Sequence, residues 1–432
     1  MFKIKLTMKK ILSIVFFAYV FFSCNTPKGY NALTEEAASV EEDYEINETE
    51  RGIIDAKNLF SIKFFKKIAA SQKGKNVLIS PLGVMYILDM LKNGAETSTK
   101  ATLEQATGLE TFQLEDINDL NHRMMLAHAC MPKHTMGEPS SLKSATLFLH
   151  KKNNNVKEKF LDIIGETYYA DNVSFDNSTD ACKKASAWLK MNAKGFDYNS
   201  SLNLDSKNAY LINAMVFNGP WIQEFMTNNT KLDTFYISKE KTELVDMMSR
   251  TDDTKTCRYC RCENYSILHM FYTSGFSIDV ILPHENVTLD TLLSKFSLDD
   301  YYKNEKKLST YTYVTISLPK FKVESDISMK PYLINLGLGN IFSENANFGS
   351  MSETPIAIDD VKQKIKAKVD ETGTYIETLT STSFVEIGAS EDVTWAEFEA
   401  NRPFLYLIKD HFGSICFIGT YYGKECDDRP LN

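Results

Sequence analysis

Apolar segments of two different periods alternate in irregular order from about Ile53 onward, and that mixture constrains the fold more than any other feature. Phe60, Phe64 and Ile68 recur every four residues, with Ile62 and Phe65 beside them, which predicts an amphipathic helix. Asn76 to Pro81 then reads as a short buried strand ending in a turn. Val84 to Leu91 reads as a second helix ending near Asn93-Gly94, and Thr97 to Gly108 as a third that stops at glycine. Strand candidates follow at Ala145 to His150, Ala209 to Phe217, Ile278 to Leu282 before Pro283, and Tyr311 to Leu318 before Pro319. Val156 to Tyr169 and Ser325 to Leu336 are helical in pattern. Irregular interleaving of this kind predicts an α+β fold rather than a doubly wound parallel sheet. No internal repeat stands out and no long linker divides the chain after residue 52, so one domain over residues 53–425 is expected, with a tail at 426–432.

The bulk composition permits such a domain. With 432 residues, 43% hydrophobic and 12% aromatic, the chain can bury a sizeable core and is not a disordered sequence. A formal net charge of −9 argues against nucleic acid as the main partner, because binding phosphates needs a basic face.

The N-terminus carries a different signal. Lys3, Lys5, Lys9 and Lys10 precede an apolar run from Ile11 to Phe22, followed by Ser23 and Cys24. A basic flank, a short apolar core and a small residue before the cut make residues 1–23 a secretory signal, too short to span a bilayer comfortably. A cysteine at the cut resembles a bacterial lipobox, in which Cys24 becomes a lipidated first residue. The alternative is an ordinary secretory peptide with Cys24 incidental. Residues 24–52 carry dense negative charge, from Glu35 to Glu50, and read as an extended tether. An exported cell-envelope protein, anchored at Cys24 or secreted, is the expectation.

Eight cysteines show no obvious disulfide framework. Cys257, Cys260 and Cys262 invite a metal reading, but they lie in a strand-like stretch. Alternation there puts Cys260 and Cys262 on one face and Cys257 on the other, and no nearby histidine completes a tetrahedral set. No metal or other cofactor is expected. Nor is an enzyme: there is no Gly-x-Ser-x-Gly elbow, no His-x-x-x-His pair and no phosphate loop.

Several blocks, taken in order, resemble the serpin family. Asn76-Val-Leu-Ile-Ser-Pro-Leu82, Asn93-Gly94-Ala95 and Thr102-Leu103 resemble its opening strand and helix. Leu211-Ile-Asn213-Ala214, Phe217-Asn-Gly219-Pro-Trp221 and Phe225 look like a central strand and the turn after it. Leu318-Pro319-Lys320-Phe321, Leu336-Gly337-Leu338, Ala346-Asn347-Phe348, Phe398-Glu-Ala400-Asn401-Arg402-Pro403-Phe404 and Phe417-Ile-Gly419 match later stretches. The resemblance runs from about residue 53 to 423. It implies a large mixed central β-sheet, smaller sheets, surrounding helices and an exposed reactive-centre loop. It also implies a monomer that traps a target protease covalently: the protease cuts the loop, forms an acyl-enzyme, and is disabled when the cut end inserts as a new central strand.

The resemblance places the hinge at Val369-Asp370-Glu371-Thr372-Gly373-Thr374. Insertion demands that every second residue after it enter a packed interior without charge or proline. Thr374, Ile376, Thr378, Thr380, Thr382 and Phe384 meet that demand, while the only charge of the opposite set, Glu377, faces outward. Two features depart from the family. Inhibitory members usually have alanines where this chain has Tyr375-Ile376-Glu377-Thr378-Leu379, so a non-inhibitory binding, carrier or chaperone role is the alternative. In the sheet-opening region, formed by Ser80, Gly83, Asn213 and Gln363, Gly83 stands where the family usually has serine and Gln363 where many members have histidine. Counting the loop forward and backward brackets the cut within Ile387-Gly388-Ala389-Ser390. These small or aliphatic residues suit an elastase-like or subtilisin-like protease and disfavour a trypsin-like one.

Overall fold

Helix α1 (Glu48–Ser71) opens with a capping box: the Asn47 side chain accepts from the Glu50 N–H at 3.0 Å and the Glu50 carboxylate accepts from the Asn47 N–H at 2.9 Å. The computed structural model describes residues 33, 36–37, 45–129, 138–192, 204, 209–253, 256–308, 313–376 and 394–424. The expected signal segment 1–23, Cys24, the tail 426–432, Thr378, Thr380, Thr382, Phe384 and the expected bond region Ile387, Gly388, Ala389 and Ser390 lie outside those residues.

The chain order is α1, β1 (Val77–Ile79), α2 (Pro81–Gly94), α3 (Thr97–Thr107), α4 (Leu114–Ala129), β2 (Ser141–Lys151), α5 (Glu158–Tyr168), β3 (Asp171–Phe175), α6 (Ser178–Asn192) and β4 (Ala209–Pro220). It continues with β5 (Lys231–Tyr236), β6 (Thr242–Asp253), β7 (Cys257–Arg261), β8 (Tyr265–Phe271), β9 (Ser277–Pro283), α7 (Leu289–Lys295), α8 (Leu298–Glu305), β10 (Tyr313–Pro319), β11 (Phe321–Ser328) and α9 (Lys330–Asn335). It closes with β12 (Ile358–Val369), β13 (Gly373–Ile376), β14 (Trp395–Glu399), β15 (Phe404–Lys409) and β16 (Ile415–Tyr421). Among the described residues these strands form three sheets. Two have six strands, in the orders β11-β12-β13-β4-β2-β3 and β1-β16-β15-β9-β8-β7, and the third has four, β14-β10-β6-β5. The α+β expectation is met.

Helix α2 threads the interior between the two six-stranded sheets. Ser80 caps it, Pro81 opens it, and all but one of its fourteen residues are buried. Its apolar side chains join Phe148, Leu211, Met215, Phe217, Ile365 and Phe417 in the main core. A second, smaller core lies on the other face of the first sheet, where α6 covers β2 and β4 through Ala181, Ala185 and Trp188 against Leu147, Leu149 and Ile212. Strand β4 is therefore buried on both faces, which explains its nearly continuous apolar sequence.

Three boundaries differ from the sequence reading. The helix expected from Ser325 to Leu336 is divided: Phe321, Val323 and Ser325 alternate inward as β11, which pairs with β12 over eight positions, and only Lys330–Asn335 is helical. Two-residue periodicity won because Lys322 and Glu324 face solvent between those inward residues. Helix α1 begins five residues ahead of Ile53. Leu33 and Ala37 are also buried, each 1% exposed, so part of the acidic stretch read as tether packs onto the body.

Candidate functional site: the hinge and the opening of the central sheet

The central sheet holds strands β12 and β4 together in two different ways. At one end they pair directly and in parallel, from Ile358↔Ala209 to Gln363↔Asn213. At the other end the four residues of β13 lie between them. Gly373, Thr374, Tyr375 and Ile376 pair antiparallel with Pro220, Gly219, Asn218 and Phe217 of β4, and Thr374 and Tyr375 pair with Val369 and Lys368 of β12. The hinge residues predicted from the sequence are thus already the start of a central strand.

Close backbone approach explains Gly373. A Cβ there would lie 2.4 Å from the Gly219 carbonyl oxygen and 2.9 Å from the Pro220 Cα. Glycine serves the hinge by the space it leaves. Thr374 follows, 1% exposed, and its hydroxyl accepts from the Tyr272 hydroxyl at 2.5 Å. Tyr272 in turn stacks on Trp221 with ring centroids 4.4 Å apart.

Trp221 and Phe225 hold the turn that leads into β13. The Trp221 backbone N–H donates to the Thr372 carbonyl and its indole N–H to the Asp370 carbonyl, both at 3.0 Å. The Phe225 N–H donates to the Glu371 carbonyl at 2.8 Å. Glu371 adds charge to this anchor: its carboxylate pairs with Lys320 at 2.8 Å and accepts from the Thr230 hydroxyl at 2.9 Å. Burial by itself would raise the Glu371 pKa, but Lys320, a backbone N–H and Thr230 together outweigh it and hold the carboxyl below its ordinary range. Burial likewise opposes ionisation of Asp370, and its hydrogen bonds from Lys368 and Thr372 overcome that and lower it.

The sheet-opening residues meet where the direct β12–β4 pairing ends. Gln363 donates to the Ser80 carbonyl and accepts from the Ser80 N–H. The Ser80 hydroxyl donates to the Cys416 carbonyl at 2.8 Å and accepts from the Gly83 N–H at 3.2 Å. Asn213 turns its amide nitrogen toward β2, donating to Ser144 Oγ, the Ala145 carbonyl and Thr146 Oγ1 at 3.1–3.2 Å. Its Oδ1 is buried and has no hydrogen-bond partner among the described residues. A Cβ on Gly83 would stand 2.3 Å from that oxygen. The structure therefore brings Ser80, Gly83, Asn213 and Gln363 together, and the absent serine side chain is matched by an asparagine oxygen in its space.

The chain matches the family model described as Serpin (serine protease inhibitor) over residues 55–423. It belongs to the serpin family. A relative, serine proteinase inhibitor 1 of vaccinia virus (strain Western Reserve), is 26% identical over 367 residues, covering 83% of this chain and 98% of the viral one. Among solved structures, the native thermophilic serpin tengpin superimposes with a TM-score of 0.75 at 27% identity, over 89% of this chain and 96% of tengpin. Human thyroxine-binding globulin reaches 0.77 at 20% identity, over 87% and 99% of the two chains, a likeness of fold.

For this serpin, sequence reasoning placed the hinge and the opening residues but missed the anchors around them. Trp221, Phe225 and Lys320 stood inside quoted blocks, and their clustering with Glu371 was the available signal. Tyr272 and Thr230 lie in segments with no pattern of their own.

Proposed function

We propose that this serpin is a suicide-substrate inhibitor of a serine protease, or of a cysteine protease of similar preference, with its cut within Ile387 to Ser390. The observation that carries this reading is the seating of Gly373–Ile376 between β12 and β4. Continuing that antiparallel register after cleavage would bring Thr378 opposite Met215, Thr380 opposite Asn213, Thr382 opposite Leu211 and Phe384 opposite Ala209. Those β4 residues are the buried inward set. No charge would enter the core, the largest residue would meet the smallest, and the Thr380 hydroxyl could donate to the orphaned Asn213 Oδ1. Eight further residues, 377–384, would add backbone hydrogen bonds at about 1 kcal/mol each, a gain on the order of 10 kcal/mol. Serpin loop insertion is itself a standard example of strand addition and released strain.

Incubation with elastase-like and subtilisin-like proteases, followed by denaturing electrophoresis, tests the proposal. A covalent complex resistant to SDS supports it. A loop cut within Ile387–Ser390 with protease activity fully retained removes the inhibitor reading.

A non-inhibitory binding, carrier or chaperone role is the second reading, favoured by the hinge itself. Tyr375, 7% exposed, and Ile376 occupy positions where small residues would slide fastest. Cleavage without complex formation, accompanied by ligand-dependent thermal stabilisation, would support it.

We also propose export and lipidation at Cys24, on the strength of the basic, apolar and small-residue pattern before it. Incorporation of labelled fatty acid in the producing cell, lost in Cys24→Ser, is the expected result.

A further inference from the structure

The hairpin β7–β8 carries two thiols in contact that loop insertion does not use. Strand β7 is an edge of its sheet among the described residues and pairs only with β8. Cys257 and Tyr259 turn into the main core, Cys260 lies on the opposite face of the strand, and Cys262, just past the strand end, packs at the margin of the main core. Cys260 and Cys262 both carry free thiols, and their sulfur atoms are 3.5 Å apart. Cys260 is 6% exposed and Cys262 is half-buried at the solvent end of the hairpin, where its N–H donates to the Tyr265 carbonyl at 2.9 Å.

We propose that Cys260 and Cys262 form a reversible disulfide across the single residue Arg261, with a low-molecular-weight disulfide as the oxidant. Residues two apart on a strand have Cα atoms about 6.5 Å apart, near the upper end of the range a disulfide spans. The bond can close with a small local bend, since Cys262 already lies beyond the last paired residue of β7. So short a loop gains little from chain entropy, and a bond at the edge of its geometric range reduces easily. The pair is suited to reversible oxidation rather than to permanent bracing.

The exchange balances without a further reactant. One cysteine thiolate attacks oxidised glutathione, forming a mixed disulfide and releasing one glutathione thiolate. The second cysteine loses its proton to water and displaces the other glutathione as the Sγ–Sγ bond forms. Two cysteine thiols are oxidised and one glutathione disulfide is reduced to two thiols. Burial, with the hydrogen bond to Cys260 and its charge, pushes the Cys262 thiol up to about 12, while Lys307 pulls the other way. The attacking species is a thiolate, so closure quickens as pH rises.

The test uses the full-length protein equilibrated across ratios of reduced to oxidised glutathione, acid-quenched, alkylated and digested with trypsin. Cleavage after Arg258, Arg261 and Lys295 separates the two cysteines onto different peptides. We expect Tyr259–Arg261 and Cys262–Lys295 to remain linked, two hydrogen atoms lighter than the free pair, and to separate on mild reduction. The linked species disappears in Cys260→Ser and in Cys262→Ser. Alkylation of both thiols in wild-type protein under excess oxidised glutathione overturns the proposal. So does a persistent glutathione adduct on Cys262, or its linkage to another cysteine.

Discussion

Gln363 donates to the Ser80 carbonyl at 2.9 Å and accepts from the Ser80 N–H at 2.8 Å. One side chain of β12 thereby satisfies both backbone polar groups of the residue that caps α2. The body of the molecule is locked to the central sheet at the point where that sheet would have to part.

Gln363→Ala leaves the buried Ser80 N–H without a partner and leaves the Ser80 carbonyl only its bond from the Val84 N–H. A loss of about 1–3 kcal/mol in native stability is expected. The midpoint of urea unfolding, followed by circular dichroism, checks it. An unchanged midpoint would mean that Gln363 contributes nothing to the lock.

Gly83→Ser restores the residue more usual in the family and should nevertheless destabilise this chain. The new Cβ would stand 2.3 Å from Asn213 Oδ1 and 2.7 Å from Met215 Sδ, in a buried site with little room to yield. Overpacking of this kind costs about 1–3 kcal/mol. The double variant with Asn213→Ala should recover part of the loss, and a gain from Gly83→Ser alone would contradict the geometry.

Acid should loosen the hinge. The Glu371 and Asp370 carboxyls are both held below their ordinary range in the folded protein. A depressed carboxylate adds stability that is fully present above its unfolded pKa and is lost as pH falls through the folded one. Between neutrality and about pH 5 the anchor should be constant, then weaken below the ordinary carboxylate range. Trp221 reports on it directly, so its fluorescence in a background with Trp188 and Trp395 replaced by Phe should change over that interval. Glu371→Gln should blunt the change, and a titration centred near neutrality would refute the assignment.

Charge on the inserting face should convert an inhibitor into a substrate. Thr378→Arg would place a guanidinium opposite Met215 in the main core. An isolated buried charge costs far more than the hydrogen bonds it accompanies. The expected result is normal cleavage, no SDS-stable complex, and no rise in melting temperature after cutting. Glu377→Arg, on the outward face, should keep all three wild-type behaviours.

Much of this was legible in the amino-acid sequence, and the limits are physical. Strand β4 was readable from Ala209 to Phe217 because burial on both faces leaves a continuous apolar run. Helix α2 was readable from Val84 to Leu91 by its apolar run, but its cap and first turn, Ser80-Pro81, were read as the end of the strand before it. Strand β11 was mistaken for the start of a helix because its short alternating stretch runs straight into α9. At the site, family resemblance located Gly373 and Gln363, but the role of Gly373 depends on Gly219 across the sheet, 154 positions away in sequence. The match between Gly83 and Asn213 is of the same kind: a pair written in separate elements becomes visible only when the elements are packed.

The seating of β13 also says where a barrier to further insertion stands. Direct pairing of β12 with β4 ends at Gln363↔Asn213, while β13 ends at Ile376 opposite Phe217. In the established register, residues 377, 378 and 379 would fall opposite Val216, Met215 and Ala214, beyond the last rung that joins β12 directly to β4. On the proposed mechanism those three enter where β12 and β4 are not paired directly. From Thr380 onward every step must break a rung before it can make two. On the proposed mechanism, insertion starts from a strand already seated, and the race against a protease is decided at the step that parts Gln363 from Asn213.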